Sequence, residues 1–182
     1  MRIFIFVCLA APFIGAGKIA FAQQPILSPR DSVEVTIMGK RVFIDYGRPS
    51  MRGRKIFGGL RPYNQWWRTG ANEATTFTAE ADLLMGDSVI PKGEYTLYTL
   101  PSENQWKMMI NKQTGQWGTV YNSEYDLVRL PLKKRTLKEP VEKLTIVLEK
   151  TNTTSGILKI IWETTEVWID FKVKTNNKKN SH

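Results

Sequence analysis

The residue types best suited to chemistry in this sequence lie in one loop, between Arg61 and Glu73. Trp66 and Trp67 offer flat apolar faces, and Arg68 offers a planar fork of donors that can bind a carboxylate, a phosphate or vicinal hydroxyls. Further donors and acceptors follow at Thr69, Asn72 and Glu73. A hydroxyl-rich ring can stack its apolar face on an indole while polar side chains bond its rim. The loop therefore predicts a binding site for a carbohydrate or an anionic small molecule.

Neighbouring segments extend this predicted site. The segment from Tyr46 to Phe77 is rich in arginine, glycine and aromatic residues and follows neither a helical nor a strand period. Its basic side chains at Arg48, Arg52, Arg54 and Lys55 are predicted to form a cationic rim. Trp117 and Tyr121 are predicted to form a second aromatic wall. The same residues also fit a structural role, in which one tryptophan fills the core and an arginine pairs with a nearby acid.

Composition excludes catalysis that depends on histidine or cysteine. The single histidine is the terminal residue, His182, and the single cysteine is Cys8, near the start. A Ser-His-Asp or Cys-His arrangement needs a held imidazole, and histidine-based zinc or iron sites need two or more. The sequence contains neither a P-loop nor a calcium-binding loop motif. We therefore predict no catalytic residue, no metal site and no cofactor.

Carboxylate chemistry remains open. Glycoside hydrolysis needs two carboxyl groups at a suitable separation. Five acids lie near predicted strand ends or loops, at Asp45, Glu73, Glu94, Asp126 and Glu163. Acids among so many arginines also serve as salt-bridge partners. Whether the protein is an enzyme therefore stays open, with a non-catalytic role favoured.

The amino terminus predicts an export signal over residues 1–22. Arg2 precedes an apolar run, and the Ala-Phe-Ala sequence at residues 20–22 fits the rule for cleavage before Gln23. The run is too short to span a bilayer comfortably, and no second one follows. We predict an exported protein, periplasmic or extracellular, with no stable membrane span after cleavage. Cleavage would also remove Cys8, so the mature chain would have no disulfide.

The charge of the mature chain favours anionic partners. Loss of Arg2 and Lys18 with the signal would leave 24 basic and 17 acidic residues, a net charge of +7. The excess concentrates between Arg41 and Arg68 and in a second basic run at residues 133–138. Basic residues interleaved with aromatic ones also suit single-stranded nucleic acid, but the predicted export argues against nucleic acid as a partner.

The rest of the sequence predicts antiparallel strands. Residues 33–37 and 42–46 alternate apolar and polar around Gly39-Lys40, as in a hairpin. Residues 94–100 and 106–110 form a second such pair. Residues 156–163 are predicted as a further strand, and residues 166–173 form the clearest strand, after a turn at Thr164-Thr165. The one candidate helical turn lies within residues 60–68.

These patterns define the expected architecture. About eight to ten short strands with turn signals indicate an all-β fold, an antiparallel β-sandwich of jelly-roll or immunoglobulin-like type with at most one or two short helical turns. We predict a single domain over residues 23–174 and a disordered polar tail over residues 175–182. The oligomeric state stays open.

Four segments of the sequence carry a resemblance to a known family: YGRPSMRGRKIFGGL, PYNQWWRTGANEATTF, PKGEYTLYTLP and INKQTGQWG. Together they resemble the domain of unknown function 2911 family of secreted bacterial proteins, from about Ser28 to the last strand. The resemblance implies an exported, β-rich domain. It implies no activity and transfers no catalytic residue.

Three classes of function follow. The first is a non-catalytic binding domain whose ligand is a carbohydrate or an anion of the cell envelope. The second is a carboxylate-dependent hydrolase of envelope glycans. The third is a structural or protein-interaction domain that docks a partner on its basic face.

Overall fold

The computed structural model describes residues 27–174, so the predicted signal at residues 1–22 and the predicted tail at residues 175–182 lie outside the described residues. Within that range no helix has the length and apolar character needed to cross a membrane. The helical content of residues 27–174 is one 3-10 turn, Ser123–Tyr125. The strands are β1 Arg30–Ile37, β2 Lys40–Gly47, β3 Thr75–Ala79, β4 Leu83–Met85, β5 Ser88–Ile90, β6 Gly93–Leu100, β7 Lys107–Asn111, β8 Asp126–Pro131, β9 Lys133–Lys150 and β10 Ser155–Val173.

The strands form two antiparallel sheets. One has six strands in the order β1-β2-β3-β6-β7-β8, and the other has four in the order β5-β4-β10-β9. Inward-facing side chains from both sheets join in one hydrophobic cluster, which is the arrangement of a sandwich. The predicted all-β antiparallel sandwich is confirmed.

The first hairpin shows how local sequence sets the register. Met38 and Gly39 connect β1 to β2 with φ angles of 54° and 70°, and two positive values are typical of a type I′ turn. Alternate residues of β2, namely Val42, Ile44 and Tyr46, are then buried. The hairpin predicted from the alternating pattern is confirmed.

The predicted turn at Thr164-Thr165 is wrong, because β10 runs through it. The pairing of β10 with β9 shifts register twice between Ile161 and Thr165, and Glu163 there has a φ of 55°. Side chains alternate with a period of two, so an irregularity of this kind changes which residues face inward. Even-numbered residues from 156 to 162 are buried before the bulge, and odd-numbered residues from 167 to 173 after it.

The predicted helical turn within residues 60–68 is also wrong. This segment has turns and bends but no helix. Near its end Trp67 forms an antiparallel bridge with Thr99 of β6, and strand-like pairing competes with helix formation for the same backbone groups. This pairing determines the geometry of the candidate site.

Candidate functional site

Trp67 is part of the core because its backbone pairs with β6. Its amide donates to the Thr99 carbonyl at 2.7 Å, and the Thr99 amide donates back at 2.8 Å. The indole is 2% exposed and stacks on Trp162 with ring centroids 5.7 Å apart. Its Nε1 donates to the Gly70 carbonyl at 3.1 Å. Every polar atom of this indole is thus satisfied inside the protein.

Trp66 lies on the opposite side of the same segment. Successive side chains of an extended segment point to opposite faces, so the residues on either side of Trp67 face outward. Trp66 is 39% exposed. It contacts Tyr98 edge-on at 5.8 Å and Tyr121 in a tilted arrangement at 5.1 Å, measured between ring centroids. The two adjacent tryptophans therefore have different environments, one core and one surface.

An open cleft of about 580 Å³ lies beside Trp66. It occupies the outer face of the six-stranded sheet, because Met108 and Ile110 of β7 belong to the core while Lys107 and Met109 line the cleft. We call it the cationic cleft, after four of its lining residues: Arg61, Arg68, Lys107 and Arg129. The remaining lining residues are Asn64, Gln65, Trp66, Trp67, Leu100, Met109, Thr119 and Tyr121.

Most arginines in the described part of the chain have clear oxygen partners. Arg48 donates to the Leu144 carbonyl at 3.1 Å and to Thr145 Oγ1 at 3.2 Å, and it pairs with Asp31 at 3.2 Å. Arg54 donates to two carbonyls of its own loop, those of Met51 and Ser50. These side chains hold the fold together. The basic run of β9 is also partly neutralised, by the pairs Lys133–Asp170 and Arg135–Glu166.

Arg61 and Arg68 differ from these arginines. The Nε of each is buried and has no hydrogen-bond partner among residues 27–174, and neither guanidinium belongs to an ion pair found in that range. Burying a polar group without a partner costs free energy, and more so when the group is charged. Two cations at one cleft are therefore left without a compensating partner among the described residues.

The pKa shifts of Arg61 and Arg68 also indicate that the cleft disfavours their charged forms. Burial lowers the pKa of Arg68. Burial also lowers the pKa of Arg61, and repulsion by Arg68 and Arg54 lowers it further. Each shift means that the surroundings disfavour the charged form, yet arginine stays protonated in proteins. A bound anion would relieve both effects.

The loop that includes residues 113–122 packs closely against Arg68. The Gly118 amide donates to the Asn72 carbonyl at 3.1 Å. A Cβ at Gly118 would lie 2.1 Å from Arg68 Cδ and 2.4 Å from the Asn72 oxygen. Only glycine allows so close an approach, so Gly118 lets this loop restrict the direction of the Arg68 guanidinium.

Tyr121 and Arg129 are held by one carboxylate. Asp126 accepts from Tyr121 OH at 2.6 Å, from Arg129 Nε at 2.8 Å and from Asn111 Nδ2 at 2.8 Å. Burial, followed by the hydrogen bond to Asp126, raises the pKa of Tyr121 to about 12. The bond to Asp126 also raises the pKa of Arg129. Asp126 therefore fixes the positions of these two lining residues and compensates the charge of Arg129.

Of the residues predicted for the site, the structure brings together Trp66, Trp67, Arg68 and Tyr121, which line the cleft, whereas Arg52 lies outside it. Thr69 is buried and shares a hydrogen bond with Thr99. Asn72 donates to the Ser28 carbonyl, and Glu73 pairs with Arg30 at 3.5 Å. Trp117 is 52% exposed but lies outside the cleft lining. Arg48, Arg54 and Lys55 lie outside it too.

Sequence reasoning did not assign Lys107, Arg129 and Thr119 to the site, although all three line the cleft. The alternation of Trp106, Met108 and Ile110 places Lys107 on the outer face of the sheet. Nothing in the sequence shows that the loop from residue 60 to residue 68 folds over that face. Arg129 joins them through the register of β8 with β7, in which Met109 is opposite Arg129.

The candidate carboxylates have other contacts. Glu163 accepts from the Ile56 and Phe57 amides at 3.3 and 3.2 Å, Asp45 pairs with Arg30, and Glu94 is exposed. The described lining of the cleft includes no carboxylate. Across residues 27–174 no group of three or more histidine, cysteine, aspartate or glutamate side chains is placed to hold a metal ion.

Fold and site together define an all-β sandwich domain with a cationic, aromatic cleft on one face. The family model described as "Protein of unknown function (DUF2911)" matches residues 28–171, so the chain belongs to this family, as the sequence resemblance predicted. Comparisons with curated proteins and with solved structures found no match.

Proposed function

We propose that this protein is a non-catalytic binding module for an anionic ligand, which it holds in the cationic cleft. The observation that supports this proposal is the unpaired state of Arg61 and Arg68 among the described residues. Charge-assisted hydrogen bonds from guanidinium to carboxylate or phosphate are among the strongest that proteins make. An oxyanion between these two side chains would offset the cost of their burial and their mutual repulsion.

The location belongs to the proposal as well. The predicted signal at residues 1–22 would send the protein to the periplasm or outside the cell. The ligand in this proposal is therefore a component of the envelope or its surroundings. Long-range attraction by the net positive charge of the mature chain would speed its capture, and this attraction would weaken as salt increases.

The test measures binding of defined anions to the purified mature chain. Isothermal titration in chloride buffer would use inorganic phosphate, sulfate, acetate and neutral glucose, at two salt concentrations. We expect at least one anion to bind and its affinity to fall with salt. The double substitution Arg61→Met and Arg68→Met should reduce that affinity at least tenfold.

A matched control removes positive charge elsewhere. Arg41 pairs with Glu34, Lys138 is exposed, and neither lines the cleft. The double substitution Arg41→Met and Lys138→Met, which also removes two charges, should therefore leave binding nearly unchanged. Equal losses in the cleft variant and the control would show that binding reflects net charge alone. Failure of every anion to bind the wild type would contradict the proposal directly.

A further inference from the structure

The cationic cleft offers more than an anion alone would use. Its volume of about 580 Å³ falls within the range of roughly 300–1,000 Å³ that is usual for small-molecule sites. Arg61 and Arg68 account for only part of its lining. The rest includes two further basic side chains, an exposed indole, several neutral polar side chains and the apolar Leu100 and Met109.

Trp66 supplies an apolar surface that the protein itself does not cover. Tyr98 and Tyr121 contact it, and 39% of the residue stays exposed. Tyr121 cannot move aside easily because Asp126 holds its hydroxyl at 2.6 Å. A rigid, exposed indole at the edge of a polar cleft is suited to stacking against a flat ring.

The neutral polar residues indicate which kind of ring. Asn64, Gln65 and Thr119 line the same cleft and together offer amide donors, amide acceptors and a hydroxyl. Such groups bond hydroxyls in the plane of a sugar ring, whereas an unsubstituted aromatic ring would leave them unpaired. Unpaired polar groups weaken binding.

We propose that the ligand is a polyhydroxylated ring bearing an oxyanion, that is, a phosphorylated or carboxylated sugar. Its oxyanion would bind Arg61 and Arg68, its apolar face would stack on Trp66, and its hydroxyls would bond the neutral side chains. This proposal rests on the proposed function, because it assigns a substrate class to the same cleft.

The experiment compares probes that share one feature at a time. Glucose 6-phosphate and glucuronate carry both the sugar ring and the oxyanion. Inorganic phosphate and acetate carry only the oxyanion, and glucose carries only the ring. Phenyl phosphate carries an oxyanion on an aromatic ring in place of the sugar. We expect at least one acidic sugar to bind about tenfold more tightly than its bare anion and than phenyl phosphate. Which acidic sugar binds better distinguishes a phosphate from a carboxylate ligand.

The variant Trp66→Ala separates ring from anion. It should abolish the preference, so that the acidic sugar binds this variant no more tightly than the bare anion binds the same variant. Trp117→Ala removes an indole outside the cleft lining and should preserve the preference. If acidic sugars bind no better than bare anions, or if phenyl phosphate binds best, this inference is wrong and anion binding stands. If no probe binds, both proposals are wrong.

Discussion

Replacing Arg68 by methionine should change stability far less than the same replacement at Arg48. Methionine keeps most of the apolar stem and removes the guanidinium, so the comparison isolates the bonds that each head group makes. Arg48 donates to Leu144 and Thr145 and pairs with Asp31. Hydrogen bonds from charged groups contribute about 1.5–3 kcal/mol, so Arg48→Met should lower the free energy of unfolding by about 2 kcal/mol.

Arg68 has no such bonds to lose within residues 27–174. Its removal also relieves the repulsion that lowers the pKa of Arg61. We therefore expect Arg68→Met to change the free energy of unfolding by less than about 0.5 kcal/mol, or to raise it. Urea denaturation of the mature chain, in buffer free of multivalent anions, measures both values.

The same assay reports ligand binding. An anion that binds only the folded state stabilises it by about 2.7 kcal/mol at one hundred times its dissociation constant. Wild-type protein should gain this stability in the presence of a bound anion, and Arg68→Met should gain much less. A loss of about 2 kcal/mol in Arg68→Met without ligand would show that this guanidinium is structural and would refute the reasoning.

Three further predictions follow from single contacts. Glu163→Gln replaces one of the two oxygens that accept from Ile56 and Phe57, so it should lower the free energy of unfolding by about 1–2 kcal/mol and speed amide exchange at those residues; unchanged exchange would contradict the assigned contact. Gly118→Ala would place Cβ 2.1 Å from Arg68 Cδ and should weaken anion binding. Gly115 has open space around it but a φ of +75°. Gly115→Ala should therefore lower the free energy of unfolding by about 1–2 kcal/mol and leave anion binding unchanged. The folded-state pKa of Tyr121 is raised to about 12 from its usual 10, so its contribution to the free energy of unfolding is complete below pH 10 and is lost between about pH 10 and pH 12. Tyr121→Phe should therefore lose less stability than wild type across that window, as measured by denaturation at each pH. Equal losses in the two proteins would argue against the pKa shift.

The fold was readable from the sequence where alternation was uninterrupted. The hairpin of β1 and β2 and the strands β6 and β7 have period-two patterns and clear turns, so local chemistry determines them. The sequence predicts the long β10 as two strands because Thr164-Thr165 indicates a turn. In the structure the inward-facing residues change from even to odd there. A bulge produces the same change of pattern as a turn, and only pairing with β9 distinguishes them.

The site was readable only in part, for a similar reason. Trp66, Trp67 and Arg68 attract attention by residue type, and all three line the cleft. Their separation into a core indole and surface groups depends on a bridge to Thr99 that joins distant parts of the chain. Arg48 and Arg54 have the same side chain as Arg68, but their guanidinium groups already donate hydrogen bonds to oxygens of the protein. Tertiary contacts, not composition, decide which cations remain available.

The peptide bond between Trp66 and Trp67 joins the surface of the proposed ligand site to the protein interior. A ligand that stacks on the first indole restrains the backbone that orients the second, and the second is hydrogen-bonded to the middle of the sandwich through Thr99. Occupancy of the cleft should therefore slow amide exchange at Thr99, which no ligand needs to touch. Ligand binding at the surface would then increase the rigidity of the interior of the domain.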